Sequence, residues 1–173
     1  ASVSHIKNGI YGEMFVAAML AVAAVSDNYV DIVRAGLAEV PHTSRLYKDV
    51  SAVVDCYESG KPQSECFKMI NDKYDDRSQH DWCHTVSDAM IVAAALLYGA
   101  GDYGKSICIA VEAGFDTDCN GATVGSIVGM VGGIKAIPEC WTSPINDTLQ
   151  TTIFGVGDVK ISERAKMTLK HIK

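Results

Sequence analysis

Two stretches of this sequence, "NGIYGEMFVAAMLAVAAV" from Asn8 to Val25 and "TVSDAMIVAAALLY" from Thr85 to Tyr98, are apolar on nearly every side when wound as helices. A helix without a solvent face has to be enclosed by other helices. Hydrophobic residues make up 48% of the chain and aromatics only 8%, so its core is assembled from Ala, Val, Ile, Leu and Met. That mixture suits closely packed helices better than a β-sandwich. Ser26 is placed to cap a second helix running to Glu39, with Val30, Val33 and Leu37 in helical register and Pro41 beyond. Thr43 or Ser44 can cap a third, with Leu46, Val50, Val53 and Val54 on one face, and Pro62 opens a fourth that ends near Tyr74. "YGKSICIAVEAG" reads as a helix stopped by Gly114, with Cys108 as an inert buried thiol. A small-residue helix follows, closed by Gly132, Gly133 and Pro138, and a last helix starts at about Ile161. No segment alternates with period two for long, and no internal repeat is visible. The prediction is one all-α domain spanning 1–173.

Charge and cysteine usage narrow the class further. The net charge of −6 leaves no basic surplus to displace counterions, which argues against nonspecific nucleic-acid binding. The longest uncharged run, Cys119 to Ile134, has 16 residues, short of the roughly 20 that span a bilayer. No membrane role is expected. Six cysteines, no two closer than ten residues, form no Cys-x-x-Cys, and a reducing, cytoplasmic setting is the expectation. His80, Cys83 and His84 in "HDWCH" offer three zinc ligands at best and read as a polar surface segment.

One short motif asks for more than packing. "GFDTDCNGATVGSIVG", residues 114–129, sets Asp116 and Asp118 side by side at the mouth of an apolar helix. Charges that close repel by on the order of 1 kcal/mol in water and by more where water is scarce. One Asp suffices to cap the helix and favour its dipole, which leaves the second unexplained. Asp116-x-Asp118-x-Asn120-Gly121 fits the first half of an EF-hand loop, but its twelfth position is Ile127, where a bidentate Glu should close the shell. A hard-cation site at a helix start is the third reading, since carboxylates suit Mg²⁺. Gly121, Gly125 and Gly129 strip one helix face of side chains, so a neighbour, such as the helix from Thr85, can approach closely.

With these residues in view, the chain resembles the ADP-ribosylglycohydrolase family. The likeness is carried by "GFDTDCNGATVGSIVGMVGGIKAIPECW", 28 consecutive residues, by "HTVSDAMIVAAALLYGAGDYGKSICIAVEAG" ahead of it, and by "SHIKNGIYGEMFVAAMLA" near the start. The resemblance implies an all-α fold, a pair of Mg²⁺ ions in a central cleft, and cleavage of the bond joining ADP-ribose to a protein side chain or a related conjugate. It makes Asp116 and Asp118 metal ligands, and it puts Cys119 where many members carry a ligating Thr. A thiol is a soft ligand and a poor match for Mg²⁺. His5, Asn8 and Tyr11 would face substrate; taken alone, His5 and Asn8 could be local caps and Tyr11 a packed side chain.

The family's remaining ligands, a Thr-Asp-Asp set and a further Asp motif, belong to an N-terminal half, as does the acid that positions the water. No second Asp pair here has a suitable setting; Asp75-Asp76, followed by Arg77, reads as a solvated loop. The resemblance therefore implies the C-terminal half of a longer ADP-ribosylglycohydrolase-like domain, with the catalytic acid outside this chain. Its partners would be that missing half and an ADP-ribosylated protein or ADP-ribose conjugate. The expected function is a Mg²⁺-dependent hydrolase of N- or O-glycosyl links to ADP-ribose. The alternative is a non-catalytic relative of the same fold, nucleotide-binding or structural in the manner of a lens crystallin, which Cys119 would favour. A helical interaction module without metal is a third possibility.

Overall fold

A computed structural model describes residues 1–172, which form two compact units, Ala1–Ala136 and a smaller one from Ile137 onward. The expected all-α class is observed, with a single short hairpin added. The larger unit holds α1 (Asn8–Ala23), α2 (Tyr29–Ala38), α3 (Arg45–Glu58), α4 (Gln63–Lys73), α5 (Thr85–Gly99), α6 (Tyr103–Glu112) and α7 (Thr117–Gly132). Among the described residues no helix is long and apolar enough to cross a membrane.

The enclosed helix is α5, with 12 of its residues buried, from Val86 to Gly99. The other helix expected to be buried all round, α1, is not. It buries one stripe, Gly12, Phe15, Met19 and Ala23, while Val16, Ala17 and Leu20 line an open cavity shared with α5 and α7. Helix starts follow side-chain capping. Ser44 accepts from the Tyr47 N–H at 3.1 Å, and Asp102 accepts from the Lys105 N–H at 2.7 Å. The second helix is capped by Asn28 and not by Ser26: the Asn28 carbonyl oxygen accepts from Val30 and Asp31 N–H, and the Ser26 hydroxyl accepts from Asn28 N–H just ahead of it. Buried Asp49 ties α3 to the end of α4, accepting from the Tyr74 hydroxyl at 2.6 Å and from Lys73.

Two packing expectations need correction. The glycine face of α7 meets α6, not α5: a Cβ at Gly121 would lie 3.3 Å from Val111 Cγ2, and one at Gly125 3.3 Å from Ile107 Cδ1. Turning Ile107 toward α7 and Ile109 and Ala110 toward the core leaves Cys108 on the outside, so that thiol is exposed and not buried.

The smaller unit contains α8 (Glu139–Thr142), an antiparallel pair β1 (Thr148–Gln150) and β2 (Asp158–Lys160), and α9 (Ile161–Leu169). Asp147 accepts from the Ser162 N–H at 2.8 Å and from its hydroxyl at 2.7 Å, which pins the start of α9 and holds the Asp147 carboxyl below its ordinary pKa. No described residue of this unit belongs to the buried core.

Close approach of α5 and α6 gives a direct test of the packing. A methyl at Gly99 would meet the Ser106 Cα at 2.8 Å, a backbone atom that cannot swing away. The Ser106 hydroxyl beside it is buried without a hydrogen-bond partner. Gly99→Ala is expected to cost about 1–3 kcal/mol through overpacking, whereas Ser106→Ala removes an unpaired buried hydroxyl and is expected to be neutral or stabilising. Urea unfolding of the two variants measures both.

Candidate metal centre

The turn between α6 and α7 is built from strained backbone. Gly114 has φ +78° and Phe115 φ +60°, both in the left-handed region, which costs a non-glycine residue roughly 1–2 kcal/mol. Burial of the Phe115 ring, 8% exposed, offsets that cost and anchors the turn in the core. The reversal delivers Asp116 to the N-cap position of α7 and Asp118 to its first turn.

Asp116 stands at the cap without acting as one, since its side chain makes no capping hydrogen bond. Capping therefore does not account for it, and the helix dipole alone favours a negative charge here without fixing where the carboxylate points. Its carboxylate instead faces Asp118 and Cys119: one ligand atom from each of the three lies within 4.8 Å of the others. The neighbouring Asp116 carboxylate first, then slight burial and the charges of Asp118 and Asp88, push the Cys119 thiol pKa up. A thiol is a soft donor and a poor match for a hard cation. The two carboxylates fit Mg²⁺; Cys119 does not. An EF-hand is excluded because α7 is already helical from Thr117 and Ile127 is fully buried within it.

Beside this cluster is a cavity of about 570 Å³, walled by α1, α5 and α7. Cys119, Asn120 and Thr123 contribute from α7, Thr85 and Asp88 from α5, and His5 and Glu13 from the start of the chain and α1. His5 therefore reaches the same cavity as Cys119, with its Nδ1 2.7 Å from the Ser4 hydroxyl and 3.3 Å from Glu13. Asn8 and Tyr11 do not line it. Asn8 Oδ1 accepts from the Leu46 N–H at 3.4 Å, at the start of α3, and Tyr11 is half-buried against the core.

Sequence reasoning passed over Asp88. It is the one charged side chain in α5, and Asn120 Nδ2 donates to its Oδ1 at 3.0 Å. Burial pushes the Asp88 carboxyl up to about 6, aided by the Asp116 charge and opposed by the hydrogen bonds from Asn120 and the Asp116 backbone. A carboxylate one turn into an otherwise apolar helix was the available signal.

His84, from the segment weighed for zinc, is the N-cap of α5, where its Nδ1 accepts from the Val86 N–H at 3.2 Å. Asp75 and Asp76 are both exposed, and Asp76 packs over the 114–116 turn, its Oδ2 2.8 Å from where a Gly114 Cβ would stand.

Set against known sequence families, residues 1–168 match the one described as ADP-ribosylglycohydrolase. The chain belongs to the ADP-ribosylglycohydrolase family. No curated protein and no solved structure matches it. Members of the family are helical glycohydrolases, as this chain is helical, and they are generally metal-dependent; the acidic group at 116 and 118 has the chemistry to serve that need.

The turn supplies its own test. Gly114→Ala places a side chain at φ +78° and drives its methyl onto the Asp76 carboxylate. Chemical denaturation is expected to show a loss of about 1–2 kcal/mol from the backbone alone, and divalent-cation affinity should fall with it as Asp116 is displaced.

Proposed function

We propose that this ADP-ribosylglycohydrolase hydrolyses the glycosidic bond between ADP-ribose and a modified protein side chain, or a related conjugate, with Mg²⁺ as its cofactor. The observation that carries the reading is that the Asp116 carboxylate, free of any capping bond, converges with Asp118 at 4.8 Å or less. Two negative charges fixed at that distance are costly unless a cation lies between them. Asp116 and Asp118 would hold Mg²⁺ through their oxygens. Bound there, Mg²⁺ would polarise the ribose hydroxyls and acidify a coordinated water.

The remaining roles fall to the chain's own groups. Asn120, Thr123 and His5 offer polar contacts to a ligand along the cavity, while Val16, Ala17 and Leu20 keep water from its apolar side. Mg²⁺ prefers six oxygens, and two carboxylates supply only part of that shell. The other ligands, and the acid that activates the attacking water, are proposed to come from outside this chain, in an N-terminal part of the same protein. A cytoplasmic site of action is proposed on the six cysteines, all free. Cys119, a soft thiol beside Asp116 and Asp118, supports the second reading, a non-catalytic member that binds nucleotide or serves a structural role.

Assay of the complete polypeptide on ADP-ribosyl-arginine and ADP-ribosyl-serine peptides separates the two. Release of ADP-ribose is expected with Mg²⁺ and to vanish with a chelator, and Asp116→Asn or Asp118→Asn should lower it by at least about 100-fold. No Mg²⁺-dependent release from either conjugate would favour the non-catalytic reading.

A further inference from the structure

The buried polar pair behind the metal cluster joins two helices that are far apart in sequence. Asn120 is 2% exposed, so its amide has no bulk water to turn to, and its Nδ2 donates to Asp88 Oδ1 at 3.0 Å across 32 residues of chain. A side chain of the enclosed helix α5 thus accepts from the residue that closes the 116–120 turn, the segment that carries both candidate ligands. Asp88 itself stands outside the group of converging ligand atoms.

We propose that Asp88 is a positioning residue for the metal centre: by accepting from buried Asn120, it locks the first turn of α7 to α5 and fixes Asp116 and Asp118 at cation-binding separation. α5 is the most buried helix of the larger unit, so a bond to it gives the turn a rigid reference that the exposed surface of α7 cannot. Without Asp88, the buried Asn120 amide loses its acceptor, and the turn that carries the two carboxylates is free to shift under their repulsion. Groups that orient metal ligands typically alter affinity by 10–100-fold when removed.

The inference rests on the proposal that Asp116 and Asp118 bind a divalent cation, and the experiment tells the two apart. Mn²⁺ affinity of the complete polypeptide is measured by electron paramagnetic resonance for wild type, Asp88→Ala, Asp88→Asn and Asn120→Ala, with metal-free melting temperatures recorded beside it. Asp88→Ala and Asn120→Ala are expected to weaken Mn²⁺ by about 10–100-fold. Asp88→Asn, which keeps an oxygen to accept the Asn120 bond but carries no charge, should restore most of the affinity. Wild-type affinity in folded Asp88→Ala or Asn120→Ala overturns the positioning role while leaving the metal site standing. Asp88→Asn as weak as Asp88→Ala overturns it in favour of a direct charge effect. Absence of Mn²⁺ binding by the wild type removes the metal reading itself, and the positioning role with it.

Discussion

Two carboxylates within 4.8 Å repel each other, and the backbone that carries them is fixed by the segment around it. The strain at Gly114 and Phe115 is tolerated because a buried aromatic ring anchors it. The bare glycine face of α7 seats the helix against α6, and Asn120 fastens its first turn to α5. Each of these features costs conformational freedom or strain, and together they fix a charge arrangement that is unfavourable by itself. Strain of this kind concentrates at functional sites, where the surrounding packing over-determines it.

Family members are generally metal-dependent, which agrees with the chemistry of this acidic group, and a cavity lies beside it. Apolar side chains of α1 form one side of the cavity, and the polar start of α7 forms another. Such a space can take a ligand with one polar and one apolar part. Asp118 and Cys119 are exposed, so the cluster is open to solvent.

Much of this was legible in the sequence because local rules agree with the global fold. Ser44 and Gly114 marked real boundaries, and the apolar run from Thr85 marked the enclosed helix. What failed was information that lives between elements. The glycine face of α7 is plain in the sequence, but nothing local says that Ile107 and Val111, and not α5, fill it. Cys108 sits in an apolar run, yet a short surface helix has an outer side, and Cys108 lies on it. The all-round apolar character of α1 suggested burial, but part of it lines a cavity. The β1–β2 hairpin escaped notice because three-residue strands are too short for alternation to register. The Asp pair was legible as a motif; Asp88 was not, because its role depends on Asn120 arriving from 32 residues away.

The central claim is that the acids at 116 and 118 exist to bind a divalent cation. Anomalous diffraction from crystals of the complete polypeptide soaked in Mn²⁺ tests it most directly. The predicted result is an anomalous peak bounded by carboxylate oxygens of both Asp116 and Asp118, with the Cys119 sulfur outside the coordination shell. Both carboxylates turned to solvent, with no peak between them, would contradict it.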